Sequence, residues 1–183
     1  MPGVWRVQEG LDSWFVRHAG GLKDAIRIVF GVIWGIDGSL KFQPGFVSAF
    51  VPSLQTVEQG QPSWLDPWFN FWVRTVGSQA TVVVYSVGTL ELLLSVSLVL
   101  GLARKVAYGG GLLLSLFIWA IPEGFGGPYG PGSTDIGTGI VYAVVFLTLM
   151  VLDASFGPSP LALDTWIERK IPSWRRIADI RTS

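Results

Sequence analysis

Apolar and polar positions alternate along this chain in long blocks. Four stretches, at about 26–40, 80–102, 106–121 and 136–152, are almost wholly apolar, and polar, glycine-rich or aromatic segments separate them. A helix needs roughly 20 residues to cross ~30 Å of hydrocarbon, with ~17 near the lower limit. The second stretch meets that alone; the first and third do so with flanking residues. Lipid cannot satisfy backbone polar groups, and four long unbroken segments select helices over a closed barrel. The pattern predicts an all-α integral membrane four-helix bundle in one domain over 1–183. Its spans fall at 24–41, 80–102, 104–122 and 135–153, with outer loops at 42–79 and 123–134 and a tail at 154–183.

Basic residues orient the bundle. Arg6, Arg17, Lys23 and Arg27 precede or open the first span, Arg104 and Lys105 fill the turn between spans two and three, and Arg169, Lys170, Arg175, Arg176 and Arg181 follow the fourth. That puts eleven of the 13 Lys and Arg on one side and leaves Lys41 and Arg74 on the other. The positive-inside rule therefore predicts a cell-membrane protein with both ends in the cytoplasm. Glu9, Asp12 and Asp24 among the first 25 residues, with no apolar run, predict that no cleavable signal is present.

The connecting segments carry patterns of their own. The first outer loop is long enough to need internal structure. Asp66 suits an N-cap, Pro67 the first helical position and Gly77 the C′ position. Between them Trp68, Phe69, Phe71, Trp72, Val73 and Val76 predict an aromatic helix lying on the membrane surface or capping the bundle. The second outer loop holds glycines that suit either a lid or a plain connector. Both ends read as amphipathic interfacial helices: Val4, Val7, Leu11 and Trp14 at the start, and Trp166, Ile167, Ile171 and Trp174 among basic residues after Pro158 and Pro160. Such helices anchor to anionic lipid or dock a partner.

Composition narrows the chemistry. Half of the 183 residues are apolar, 14% are charged, and mean hydropathy is +0.48. Thirteen basic against 13 acidic residues argue against a nucleic-acid surface. With no cysteine and only His18, thiolate chemistry and a bis-histidine haem within one chain are excluded, and no metal or haem is expected.

Ionisable residues inside a membrane are costly and mark function by default. Arg27, Trp34, Asp37 and Lys41 share one face of the first span, and Asp37 and Lys41 stand at i, i+4 spacing. Glu91 lies near the middle of the second span, with Gly88 and Ser95 on its face marking a close helix contact. Either neutral or paired with a cation such as Arg27 or Lys41, it serves as a packing clamp, or as a proton acceptor or ligand contact on a buried site. Asp135 either caps the fourth helix with Ser133 and Thr134 or joins a site. Glu123 reads as a solvated turn residue, and Asp153 as a solvated inner end. Of the four tyrosines, only Tyr142 falls well within a span, where it can donate to a quinone carbonyl.

Arg27, the run Gly35-Ile36-Asp37-Gly38-Ser39-Leu40-Lys41, the deep Glu91, the run Leu98-Val99-Leu100-Gly101-Leu102 before Arg104, and the glycine-bearing third span together resemble the DoxX/DoxD family of small four-helix membrane proteins. The resemblance covers roughly 27–153, and the long aromatic outer loop leans towards the DoxD-like branch. It implies the membrane subunit of a thiosulfate:quinone oxidoreductase with a quinone as electron acceptor and a second, DoxA-like subunit as partner. Glu91 and Asp37 are then the candidate catalytic residues, and Arg27, Trp34, Lys41, Tyr142 and Asp135 the candidate quinone or substrate contacts. A membrane scaffold for a redox partner, a small-anion or lipid carrier, and a homo-oligomer are the alternatives that the residues leave open.

Overall fold

A computed structural model describes residues 3–129, 135–157 and 159–180, with side chains from Trp14 onward. Among the described residues the chain forms eight α-helices, three short 3-10 turns and no strand. In chain order the helices are α1 (Gly3–Leu40), α2 (Phe46–Gln59), α3 (Asp66–Gly77), α4 (Ala80–Leu100), α5 (Arg104–Ala120), α6 (Thr138–Phe156), α7 (Leu163–Lys170) and α8 (Arg175–Ala178).

Four long helices carry the architecture. α1 packs mainly along α4, and α5 mainly along α6. Small residues set the first pairing. A Cβ on Gly31 would sit 2.9 Å from Leu98 and Val99, one on Gly35 would sit 2.7 Å from the Ser95 hydroxyl, and one on Gly38 would meet Glu91 and the Gly88 carbonyl at 3.1 Å. Ser95 Oγ donates to the Gly31 carbonyl at 2.7 Å. This close seam, predicted from Gly88 and Ser95, gains dispersion contact and an interhelical hydrogen bond. In the second pairing Gly111 faces the Phe146 ring and Gly139 faces the Ser115 carbonyl and Trp119. Between the pairs lie Phe30, Trp34, Leu94, Leu98, Tyr108, Phe146 and Leu149, all buried. Tyr108, like Tyr142, therefore sits inside the bundle.

Two of these helices, α4 and α6, are long and apolar enough to cross a membrane, and only 28% of the most apolar window of each is buried. A core helix of a soluble domain would be mostly covered. Here Leu90, Leu93 and Val96 of α4 and Val144, Leu147 and Val151 of α6 are more than half exposed. α1 and α5 show the same outward apolar faces at Val29, Val32 and Ile36, and at Val106, Leu113 and Phe117.

Several boundaries differ from the sequence pattern. The N-terminal amphipathic segment and the first span form one 38-residue helix rather than two elements. The first outer loop folds into two helices, with α2 unforeseen; Asp66 is the first helical residue of α3 rather than its N-cap, and Gly77 is its last. α6 starts at Thr138, three residues later than predicted. Ser133, Thr134, Pro158 and Arg181 lie outside the described residues, as do the side chains of Val4, Arg6, Val7 and Leu11.

The two ends of the bundle are closed differently. At one end α2 and α3 pack over it through Leu54, Val76 and Ile121. At the other, the tail carrying α7 and α8 folds back against the turn between α4 and α5. Gly101 and Ala103 make that turn in the left-handed region, at φ 65° and 48°. A Cβ on Gly101 would sit 2.7 Å from Ala162, so the tail approaches as closely as glycine allows.

Candidate functional site

A cavity of about 690 Å³ opens at the α2–α3 end. α1 supplies Trp34, Asp37 and Lys41 to its wall, α4 Glu91, α5 Ser115 and Phe117, and α6 Thr138 and Tyr142, while Phe46, Phe50 and Trp72 of α2 and α3 roof it. Its size falls within the roughly 300–1,000 Å³ of small-molecule sites, and its walls are largely apolar with few convergent polar groups, as in such sites generally.

The polar groups form two partnerships. Lys41 Nζ lies 2.6 Å from Glu91 Oε2, which selects Lys41 over Arg27 as the partner of the deep glutamate. Glu91 is 1% exposed, whereas the Lys41 side chain is 19% exposed, so the ammonium is the movable half. Lys41 also stands 3.5 Å from the Asp37 carbonyl and 5.8 Å from the centroid of the Phe46 ring. The i, i+4 spacing predicted a Lys41–Asp37 side-chain pair. Instead, Asp37 Oδ2 accepts a hydrogen bond from Tyr142 at 3.1 Å, across from α1 to α6.

Trp34 is buried between the two partnerships, its ring 5.4 Å from Tyr142, 5.8 Å from Phe146 and 6.2 Å from Phe30. Among the described residues neither its indole N–H nor that of Trp72 has an acceptor.

Glu123 corrects the sequence reading of a solvated turn. Its Oε2 accepts the Gly139 amide at 2.8 Å, and it also takes the Thr138 amide, so it caps α6 from the end of α5. The orphan amides and positive end of a helix favour such a carboxylate. Burial still pushes its carboxyl above the ordinary range, against the pull of the two amides. The described part of the glycine-rich loop is held down by packing: Gln61 donates to the Gly124 carbonyl, Trp119 donates to the Ile136 carbonyl, and Phe125 packs on Trp68, Phe69 and Trp119.

Two predicted site residues stand elsewhere. Asp135 is exposed and accepts the Gly137 amide at 2.7 Å; it shapes the turn before α6 and lines no part of the cavity. Arg27 is fully buried at the tail end, where its guanidinium donates to the Leu98 and Val99 carbonyls and pairs with Asp24 at 3.1 Å. It shares a helical face with Lys41, but at 1.5 Å per residue the 14 steps from 27 to 41 separate the two by ~21 Å.

Around Arg27 lies a charge cluster that the sequence did not disclose. Asp153, read as solvated, is 4% exposed and pairs with Lys23 at 2.8 Å and Arg104 at 3.1 Å. Arg104 further binds Asp164 at 3.0 Å, Asp179 at 3.2 Å and Glu168 at 3.5 Å, all from the tail. Asp164 also accepts the Ala103 and Arg104 amides and the Trp174 indole. The i, i+4 placement of Asp164 and Glu168 on one face of α7 was the available signal.

Among the described residues no group of three or more His, Asp or Glu stands at metal-ligating spacing. The cavity's chemistry is that of carboxylates, one amine and one phenol in an aromatic setting. Comparison with known protein families, with curated proteins and with solved structures found no match.

Proposed function

We propose that α1, α4, α5 and α6 each span a membrane, with both chain ends on the cytoplasmic side, and that the cavity takes the head group of a lipid-soluble quinone. In this reading the chain is the membrane subunit of a thiosulfate-type sulfur-compound:quinone oxidoreductase. The outward apolar faces of all four helices support the topology, as does the gathering of eleven of 13 basic residues on one side. The observation that carries the site is the cavity itself: an aromatic chamber whose polar groups are two proton-handling pairs, Lys41–Glu91 and Tyr142–Asp37.

Reduction of a quinone takes two electrons and two protons and gives the quinol. Glu91, paired with Lys41, and Asp37, which accepts from the Tyr142 hydroxyl, are the groups that take up protons and pass them on, and Trp34 packs against the ring. The electrons come from a sulfur oxyanion: two thiosulfates joined through an S–S bond as tetrathionate release two. A second subunit of DoxA type presents that donor. Arg27 and Asp135, outside the cavity, take no part in binding.

The test is quinone reduction by the full chain in nanodiscs, with thiosulfate and with or without candidate partner subunits. Loss of one positioned proton donor lowers such a rate by about 10²-fold or more, so Glu91→Gln is expected to abolish most of the activity while helical content and elution stay unchanged. No reduction under any partner condition, with Glu91→Gln altering only stability or complex recovery, overturns the reading in favour of a membrane scaffold.

A further inference from the structure

We propose that the cavity is also a binding site for lipophilic organic cations. Three carboxylates, Asp37, Glu91 and Glu123, line it against a single cation, Lys41. Two of the three are answered locally. Lys41 neutralises Glu91 at 2.6 Å, and the amides at the start of α6 stabilise Glu123. Asp37 is left with one neutral donor, Tyr142, and among the described residues no cationic side chain pairs with its carboxylate. A carboxylate without a cation beside it is the group in the chamber that an entering counter-cation can pair with.

The chamber already shows how it holds one. The Lys41 ammonium sits between Glu91 and the face of Phe46, an ion pair combined with a cation–π contact. Trp34, Phe50, Trp72 and Tyr142 supply further aromatic surface nearby. Lys41 is tethered but partly exposed, so an untethered cation with an apolar body can lodge beside it against Asp37, or replace it against Glu91. The same balance of charge repels anions. A sulfur oxyanion therefore stays outside the chamber, which admits neutral and cationic guests alone. This inference shares its cavity with the quinone reading but not its chemistry, so either can fail without the other.

The test is equilibrium binding of tetraphenylphosphonium to the full chain in nanodiscs at pH 8, corrected for uptake by empty discs. Tetraphenylborate, of matching size and apolarity but opposite charge, is the control. Saturable binding of the phosphonium with at least tenfold preference over the borate is expected. Asp37→Asn should weaken it at least tenfold, and Lys41→Met should tighten it severalfold by removing the resident competitor, a gain that misfolding cannot mimic. Equal binding of the two ions, no saturable binding of the phosphonium, or a Lys41→Met variant no tighter than wild type would overturn the proposal.

Discussion

The two ends of the bundle handle buried charge in opposite ways. At the tail end Lys23, Arg27 and Arg104 are met by Asp24, Asp153, Asp164, Glu168 and Asp179, with Arg27 Nε and Glu168 Oε1 the buried atoms of that set left without a hydrogen bond among the described residues. At the α2–α3 end the buried Glu91 and the half-buried Asp37, Lys41 and Glu123 surround about 690 Å³ of cavity, and Glu91 and Asp37 are each met by a single partner. Several ion pairs converging on one arginine mark a structural joint. Sparse satisfaction around a void marks a place where something else completes the set.

The largest expected effect comes from breaking the joint. Arg104→Leu strips Asp153 and Asp164 of their shared cation, and removing one partner of a buried pair costs about 3–5 kcal/mol. Thermal unfolding in detergent should show a large drop in Tm, together with rapid proteolysis near Arg169 and Lys170; an unchanged melting curve would break the comparison. Asp164→Asn keeps some amide capping and loses charge, for an expected cost of about 1–3 kcal/mol. At the other end Glu91→Gln should cost about 1 kcal/mol or less, because Lys41 is free enough to turn towards solvent. A Glu91→Gln loss as large as that of Arg104→Leu would make the cavity end a joint as well.

The smallest effect is a pH dependence. Burial raises the carboxyls of both Glu168 and Glu123 above the ordinary range, with Asp179 adding to it at Glu168 and Asp135 at Glu123. The folded chain therefore holds these protons more tightly than the unfolded chain does. Stability from these groups is fully present below the unfolded carboxylate value of about 4.3 and declines as pH rises through the raised one. Glu168→Gln and Glu123→Gln should each be neutral near pH 4 and mildly stabilising at pH 8, read from unfolding midpoints across pH. A penalty at pH 8 would reverse the assignment of burial as the dominant cause.

Much of this was legible in the residues. The four long apolar blocks became the four long helices, and the glycine and serine positions beside Glu91 became the α1–α4 seam, because helical period fixes which positions face a neighbour. Period fixes angle but not depth, so Arg27 was grouped with Lys41 although the helix carries them to opposite ends. The break expected between the N-terminal segment and the first span did not occur. Gly20 and Gly21 sit within continuous helix, and the Pro160 ring packs 3.4 Å from where a Gly20 Cβ would be. Asp153 and Glu123 were misread as solvated for one reason: their partners lie remote in sequence, Lys23 and Arg104 at 130 and 49 positions from Asp153, and the Gly139 amide at 16 positions from Glu123 across a loop. The choice between Arg27 and Lys41 as the partner of Glu91 likewise needed three-dimensional proximity.

The cap on α5 arrives late. Asp164 closes the Ala103 and Arg104 amides from 61 and 60 positions downstream. A ribosome will therefore have delivered all four long helices before the carboxylates that neutralise Arg104 from the tail emerge. Until then the Ala103 and Arg104 amides and the Arg104 guanidinium lack their partners from the tail. Docking of the tail supplies them, so the turn between α4 and α5 is completed only after α6 has been made.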